Sequence, residues 1–465
     1  MFAQRAHDAF SAGIACPKYT TGGQYPAAVP VAFGGCESAT TIGFVRTASP
    51  LALGMNVLLL AYECDPSRGS EPGVGWNWAV AIAQSCNVWL VTQEANRDSV
   101  LESISGTNID AQRCVFVEHD PRTSWLRHAP WGYYLRNQLW QDRALAAAIA
   151  SSPLGGFDLA HHITWGNCWQ PSALRRLPVP FLWGPVGGAE TAPLAFRRSY
   201  SARGNLYELT RDLVRTVSRV SPPLKATARA AALTLSRTPE SAGYLTRMGA
   251  GDVIVRSELT MAPSQVGSAR DAGMHNTTPH FISVGNLLHW KGFHLAIEAI
   301  ASLHKQGLPV EYTIVGAGPE RDRLLEVARR RGLHDYVRIL GRMPREAVLE
   351  LMRQSDALIH PSLHDSGGTV CVEAMSLGLP VICLALGGPG FNVHNVGGIC
   401  VEATSPRQAI QDIADSLYRI ATEHEYAQRL SAAGVTLAAT AHSTSELASE
   451  IPTLYERALG QLTPK

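Results

Sequence analysis

Short runs of Val, Ile and Leu recur along the chain. Between them, apolar residues fall three and four positions apart, so the pattern predicts strands alternating with helices. The first run, 56–62, is followed by others near 87–93, 114–118, 158–164, 179–183 and 230–235. Continuous rather than alternating apolar character suits strands covered on both faces of a parallel sheet. A polar passage with Gly, Asn and Thr at about 266–279 interrupts the rhythm, which restarts at 281–285, 310–316, 337–340, 357–360, 380–384 and 399–401. Helical spacing then covers 407–420, 424–434 and 444–459. No internal repeat of solenoid length is present.

The expected fold is therefore α/β, with two Rossmann-like doubly wound domains facing a cleft. The expected boundaries are 55–275 for the first domain and 276–440 for the second, with 441–465 a helix crossing back to the first domain. Residues 1–54, rich in Gly, Ala, Pro and Thr, carry neither period. They are expected to be a disordered extension or a stretch foreign to the natural chain, with the functional part starting near Met55. Ligands of open α/β sheets bind beyond the carboxyl ends of the strands, so the chemistry should sit just after strands.

Composition narrows the choice. The 465 residues are 46% hydrophobic and 17% charged, as in a globular chain with ample material for buried cores. Lys+Arg 40 against Asp+Glu 39 gives a net charge of +1, which supplies no basic field, so no nucleic acid partner is expected. The nine cysteines never form Cys-x-x-Cys, which argues against a disulfide framework or structural zinc. No apolar run has the length of a membrane span and no signal peptide is evident, so the expected location is cytoplasmic.

The most informative stretch is 360–375, His-Pro-Ser-Leu-His-Asp-Ser-Gly-Gly-Thr-Val-Cys-Val-Glu-Ala-Met. A strand ends in a Pro-Ser loop, a Gly-Gly pair permits close backbone approach, and a helix opens around Thr369 with free N–H groups, an end suited to phosphate. Asp365 and Glu373 lie eight positions apart and can border one pocket, where they would accept hydrogen bonds from sugar hydroxyls. Two carboxylates beside phosphate-seeking N–H groups point to a phosphorylated polyol. Read alone, the stretch is also compatible with a capped turn and a solvated Glu.

The acidic pair resembles the glutamate, seven residues, glutamate signature of family 4 retaining glycosyltransferases of the GT-B fold, with Asp365 in the first position. The resemblance extends over Val284-Gly285-Asn286-Leu287, Lys291-Gly292, Val315-Gly316-Ala317-Gly318-Pro319-Glu320 and Leu340-Gly341-Arg342, in the order the family has them. It implies donor binding by Gly285, Asn286, Lys291, Gly316, Gly318, Arg342, Gly367, Gly368, Thr369 and Glu373. Within that set, Glu373 would hold the donor ribose, Gly367 and Gly368 the diphosphate through their backbone, and Lys291 the charge growing on the leaving nucleotide, while Asp365 would face the transferred sugar and 340–343 flank the base. Two departures stand out. Asn286 replaces an Arg that the family places after the strand glycine, which leaves Arg342 or a first-domain Arg to compensate, and Asp365 is one methylene shorter than Glu.

The chain contains no Asp-x-Asp pair of the kind that metal-dependent transferases use, so metal-independent transfer without a cofactor is expected. In the first domain, 64–78 reads Cys-Asp-Pro-Ser-Arg-Gly-Ser-Glu-Pro-Gly-Val-Gly-Trp-Asn-Trp, with Ser70 as an N-cap. It resembles the Gly-Ser-Glu-Pro-Gly loop of a subgroup of the same transferases, which puts Glu71, Gly73 and Gly75 on the acceptor side, although a purely structural turn with packing tryptophans fits as well. Gly187 and Gly188, in the loop after a strand ending at 183, join that wall. His161 and His162 alternate across a strand, so one of them can face the cleft as a catalytic group, and either can equally be structural.

Residues 205–220 place Leu206, Leu209, Leu213, Val217 and Val220 on one helical face and Arg211, Arg215 and Arg219 opposite. Either the apolar stripe enters the core and the basic face is solvated, or the helix docks peripherally on an anionic membrane at the inner face of the plasma membrane. The reading as a whole is a retaining glycosyltransferase that uses a nucleotide diphosphate sugar and a sugar or lipid-linked oligosaccharide acceptor in bacterial exopolysaccharide or surface polysaccharide synthesis. Its main rival is a non-catalytic nucleotide-sugar-binding or scaffold protein with a degenerate site. A nicotinamide oxidoreductase fits poorly, because the glycine cluster at 316–321 lacks the third glycine of the dinucleotide fingerprint.

Overall fold

The computed structural model describes residues 54–128, 132–262, 265–269 and 278–460. The expectation for 1–54 therefore falls, apart from Gly54, outside the described residues, as does most of the expected hinge. Seven parallel strands form the first sheet: β1 (Asn56–Ala61), β2 (Asn87–Gln93), β3 (Cys114–Val117), β4 (Leu159–Thr164), β5 (Phe181–Val186), β6 (Leu233–Ser236) and β7 (Val253–Val255), in the order 3-2-1-4-5-6-7. The second sheet holds β8 (His280–Val284), β9 (Glu311–Val315), β10 (Val337–Gly341), β11 (Ala357–His360), β12 (Val381–Leu384) and β13 (Gly398–Val401), in the order 10-9-8-11-12-13. Strand β7, three half-buried residues, is too short to stand out in the apolar pattern.

The first sheet is flanked by α1 (Glu71–Ile82), α2 (Arg97–Ser103), α3 (Gly132–Ala150), α4 (Ala202–Ser218), α5 (Pro222–Ala230) and α6 (Pro239–Arg247). Around the second lie α7 (Phe293–Lys305), α8 (Arg321–Arg330), α9 (Arg345–Arg353), α10 (Thr369–Ser376), α11 (Gly387–Val393), α12 (Pro406–Thr422) and α13 (His424–Thr440). The last helix, α14 (Thr444–Gly460), returns to the first sheet. Its Ile451 and Tyr455 are buried beside Trp78 and Ile82 of α1, and Arg457 bonds Asp252 at 2.6 Å. None of the described helices is long and apolar enough to cross a membrane.

Strand order positions the site. In each sheet the first strand has neighbours reached in opposite directions, β2 and β4 beside β1, and β9 and β11 beside β8. Connections leaving such a pair diverge to opposite faces and open a crevice at the carboxyl edge. The carboxyl ends of β1, β4, β8 and β11, with the loops after them, carry the 64–78, 161–165, 285–292 and 360–375 segments. Glycine at 316 is obligatory here: φ is 149°, and a Cβ would lie 1.8 Å from the Gly285 carbonyl oxygen. Gly316→Ala should lower stability by more than about 3 kcal/mol. Gly307→Ala, also at positive φ but facing open space, should cost only about 1 kcal/mol. Urea unfolding of the two variants checks the contrast, and equal losses would show that backbone conformation, not the Gly285 contact, dominates.

Candidate active site

The donor side is assembled from two loops of the second domain. Gly292, at φ 69°, has no room for a Cβ, which would stand 2.0 Å from the Pro361 carbonyl oxygen, so the loop after β8 lies directly on the loop after β11. This brings the Lys291 ammonium into an ion pair with Asp365, whose carboxylate also bonds His360 Nε2 at 3.2 Å. Burial pushes the Asp365 carboxyl up, but the charge of Lys291 and the His360 hydrogen bond hold it well below the usual range. Gly368, at φ 75° and pressed against Pro389, caps α10 and leaves the N-terminus of that helix facing the cleft.

Lys291, Asp365, Gly367, Gly368, Thr369 and Glu373 line one cavity of about 420 Å³, together with Gly285 and Asn286 from the β8 loop and Glu71 from the opposite domain. Glu373 accepts a hydrogen bond from Arg345 at 2.6 Å. Ser70 lines the cavity too; it precedes α1 at φ 60° and makes no side-chain capping bond, unlike the N-cap expected of it. Such backbone strain persists only where the surroundings enforce it, and it clusters at functional sites.

A second recess, of about 180 Å³, adjoins the cavity and shares Glu71, Arg237 and Ser366 with it. Tyr134, Trp165, Asn167, Gly187 and Gly188 form its wall. Arg237 donates to the Pro185 carbonyl at 3.0 Å and to Glu71 at 2.8 Å, and pairs with Glu258 at 2.6 Å. Burial pushes Glu258 up to about 8 against the pull of Arg237, with Glu71 and Asp365 adding to the rise. The 187–190 loop is tied down by the buried Glu190, which accepts from Thr238 at 2.6 Å, Ser241 at 2.7 Å and the Gly188 N–H at 2.9 Å.

Both sides of the cleft meet on α4. Its Glu208, 1% exposed, accepts from His289 Nε2 at 2.9 Å and from His364 Nε2 at 2.8 Å, two residues that flank Lys291 and Asp365 in sequence. Between them, Trp290 stacks on Tyr207 of α4 and on His364, each with ring centres 5.1 Å apart. One turn on, Arg211 donates to the carbonyls of Gly188 at 3.1 Å and Glu190 at 2.7 Å. Burial alone would raise the Glu208 carboxyl, yet the two histidine hydrogen bonds hold it far below the usual range.

Several expected residues stand elsewhere. Neither His161 nor His162 faces the cleft. His161 bridges the Tyr455 hydroxyl at 3.0 Å and the Gly184 carbonyl at 2.8 Å, tying β4 to α14, while His162 bonds Ser172 at 2.8 Å on the other face of the sheet. Burial lowers them to about 3 and about 4, so both are neutral packing groups at physiological pH. Gly75 is a close-approach point, since a Cβ would meet the Glu63 carbonyl at 2.1 Å, and Gly318 plays the same part against Leu287. Gly316 likewise packs against backbone, Gly73 lines a smaller neighbouring recess, and Arg342 is exposed and borders neither cavity. The cations that do border the donor cavity beyond Lys291 are Arg345, three residues after Arg342, and Arg237, directly after β6. Arg237 was findable by extending the rule of strand carboxyl ends to β6. The pairing of Glu208 with two histidines of the other domain left no local signal.

Two doubly wound sheets that present an anion-seeking helix end, a lysine and paired carboxylates to a shared cleft define the GT-B class of glycosyltransferases. Residues 269–434 match the family described as glycosyl transferases group 1, so the chain is a glycosyltransferase carrying a group 1 domain. The 2-deoxystreptamine glucosyltransferase of Streptomyces kanamyceticus is 25% identical over 317 residues, covering 62% of this chain and 78% of that protein. The amylovoran biosynthesis glycosyltransferase AmsK of Erwinia amylovora is 35% identical over 124 residues, 25% of this chain and 30% of its own. Among solved structures, Anabaena HepE in complex with UDP superposes with a TM-score of 0.56 at 18% identity, covering 86% of this chain and all of that one.

If α4 sets the cleft through Glu208, Glu208→Gln should lower kcat roughly ten- to a hundredfold through misplacement of Lys291 and Asp365, with a smaller effect on the donor KM. A carboxylate held below its ordinary range stabilises the fold fully above that range and ceases to do so as pH falls through it. The melting-temperature gap between wild type and Glu208→Gln should therefore be constant above about pH 5 and shrink below about pH 4. A gap that is independent of pH would show that Glu208 acts by packing alone.

Proposed function

We propose that the protein is a retaining, metal-independent glycosyltransferase that moves a sugar from a nucleoside diphosphate sugar to a hydroxyl of a saccharide acceptor in bacterial surface or exopolysaccharide assembly. The observation that carries this reading is the convergence of Lys291, the N-terminus of α10 and Glu373 on one cavity, with an acceptor-sized recess opening from it. HepE, which binds UDP, and AmsK, named for amylovoran biosynthesis, support the donor class and the pathway class respectively. Peripheral contact with an anionic membrane through 205–220 belongs to the same reading, because a lipid-linked saccharide is met at such a surface.

The diphosphate is placed between the Lys291 ammonium and the α10 N–H groups, and the ribose hydroxyls on Glu373. As the bond between the anomeric carbon and the diphosphate oxygen breaks, negative charge grows on the leaving group, and these fixed positive groups favour that state over the ground state. The acceptor oxygen attacks the oxocarbenium-like carbon from the face the nucleotide leaves, and its proton passes to a β-phosphate oxygen. Asp365, ionised beside Lys291, faces the hydroxyls of the transferred sugar. Lys291 and the helix end take the place of a cation, so metal is not required.

A binding protein with a degenerate site is favoured by one feature, the neutral Asn286 where the leaving group needs charge. Arg345 and Arg237, both at the cavity, answer it in part. Calorimetry with UDP, GDP and ADP should give micromolar binding of one nucleoside diphosphate, weakened at least tenfold in Lys291→Ala, and Lys291→Ala and Glu373→Ala should each reduce transfer by roughly a hundredfold or more. Transfer that persists in EDTA is expected. Loss in EDTA with rescue by Mn²⁺ would overturn the metal-independent reading, and nucleotide binding without transfer or donor hydrolysis would favour the binding protein.

A further inference from the structure

Cys383 of β12 and Cys400 of β13 are register partners on adjacent parallel strands, with their Sγ atoms 3.8 Å apart. Parallel partners stand about 4.8 Å apart, inside the Cα span of about 4.4–6.8 Å that a disulfide bridges. Closing the bond brings the sulfurs to about 2.05 Å. Strand β13 is the outer strand of its sheet and pairs only with β12, so its side of the contact is the one that can move.

The two thiols are unequal. Cys383 is buried, whereas Cys400 is half-buried on the edge strand. The hydrogen bond between them lowers the Cys400 thiol and raises that of Cys383, and burial pushes Cys383 up further. An accessible thiol that ionises readily beside a buried partner is the arrangement of a nucleophilic cysteine and its resolving cysteine.

The pair lies under the helix that carries the donor loop. Helix α11 begins three residues after β12, and Cys400 Sγ is also 3.8 Å from the Gly390 carbonyl oxygen of that helix. In turn α11 supports the loop after β11. The Gly388 N–H donates to the Asp365 carbonyl at 2.8 Å, the Asn392 carboxamide donates to the Gly367 carbonyl at 2.6 Å, and Pro389 packs on Gly368.

We propose that Cys383 and Cys400 are a redox modification site, which a hydroperoxide closes to a reversible disulfide that loosens α11 beneath the donor loop. With hydrogen peroxide, the deprotonated Cys400 sulfur attacks one oxygen and the O–O bond breaks. Cys400 becomes a sulfenic acid, and the other oxygen leaves as hydroxide, which takes the proton lost by Cys400 and becomes water. The Cys383 sulfur then attacks Cys400 Sγ, the S–O bond breaks, and the departing hydroxide takes the Cys383 proton as a second water. Two thiols thus supply the two electrons that reduce one peroxide. Drawing Cys400 toward Cys383 takes it off the Gly390 carbonyl, which carries the change to α11. The disulfide itself is independent of the transferase reading; only its consequence for donor binding rests on that reading.

The full chain is treated with hydrogen peroxide, free thiols are blocked with N-ethylmaleimide, and chymotrypsin separates the two cysteines at Leu384, Leu386 and Phe391. Mass spectrometry should find Cys383 linked to Cys400, with the loss of two hydrogens, and dithiothreitol should reopen the link. Hydrogen exchange of the 387–393 amides should rise severalfold in the oxidised form and fall back on reduction. Cys383→Ala should leave Cys400 as a sulfenic acid that dimedone traps, and Cys400→Ser should form no link while keeping the melting temperature of the reduced wild type. UDP binding by the reduced chain, measured alongside, tells a failed donor site from a failed redox pair. An unlinked pair after peroxide, a link made instead to the buried Cys371, over-oxidation of Cys400 beside a free Cys383, or α11 exchange that the link leaves unchanged would each overturn the proposal.

Discussion

A single buried carboxylate governs how the two halves of this protein face each other. Glu208 sits on a helix of the first domain, yet both of its hydrogen bonds come from loops of the second. Taking a carboxylate out of water costs several kcal/mol, and that cost is offset only if its lone pairs are fully engaged. The two histidines both engage its Oε1, and by doing so fix the loops that carry Lys291 and Asp365. Trp290, held between Tyr207 and His364, removes the remaining freedom of those loops. The cleft is thus set by a polar contact that is satisfied only when the domains have one particular relation.

The electrostatics of the cleft are built within each domain separately. Every cation facing the donor cavity has an anionic partner in the protein: Lys291 with Asp365, Arg345 with Glu373, and Arg237 with Glu71 and Glu258. Such pairing keeps positive side chains ordered and solvated by fixed groups without a ligand present. A diphosphate that enters then competes for cations already in place, and electrostatic stabilisation is most effective when the groups need not reorganise. The high position of Glu258 shows the other side of this arrangement: burial raises it most, and the neighbouring carboxylates Glu71, Asp365 and Glu190 add to the rise.

Much of the fold was legible in the sequence because parallel strands buried on both faces must be continuously apolar, and most runs from 56–62 to 399–401 became strands within a few residues. The donor loops were legible for a related reason: Gly292 and Gly368 stand where a neighbouring loop approaches too closely for a side chain, and Gly367 lies against the Glu258 carboxylate. The same logic misled at Gly75, Gly316 and Gly318, which also meet the protein's own backbone but line neither cavity. The pair His161 and His162 could not be resolved from spacing, because strand alternation says that they face opposite sides but not that helix α14 covers one side and Ser172 sits on the other.

Helix α4 shows why an amphipathic pattern alone does not say which face is inside. Its polar face is the buried one, because each polar group there finds a partner: Glu208 its histidines, Arg211 two carbonyls and Arg215 the Ala189 carbonyl. None of those partners lies near 205–220 in sequence, so no local window contains the information. Charged groups accept burial when geometry supplies their hydrogen bonds. On the opposite face Leu206, Leu209, Leu213, Val217 and Val220 stay exposed. An isolated soluble chain would gain by turning the leucines inward. That this helix instead commits its polar side to the cleft indicates that positioning the two site loops outweighs covering five apolar side chains, and it leaves the first domain with an apolar face beside its active site.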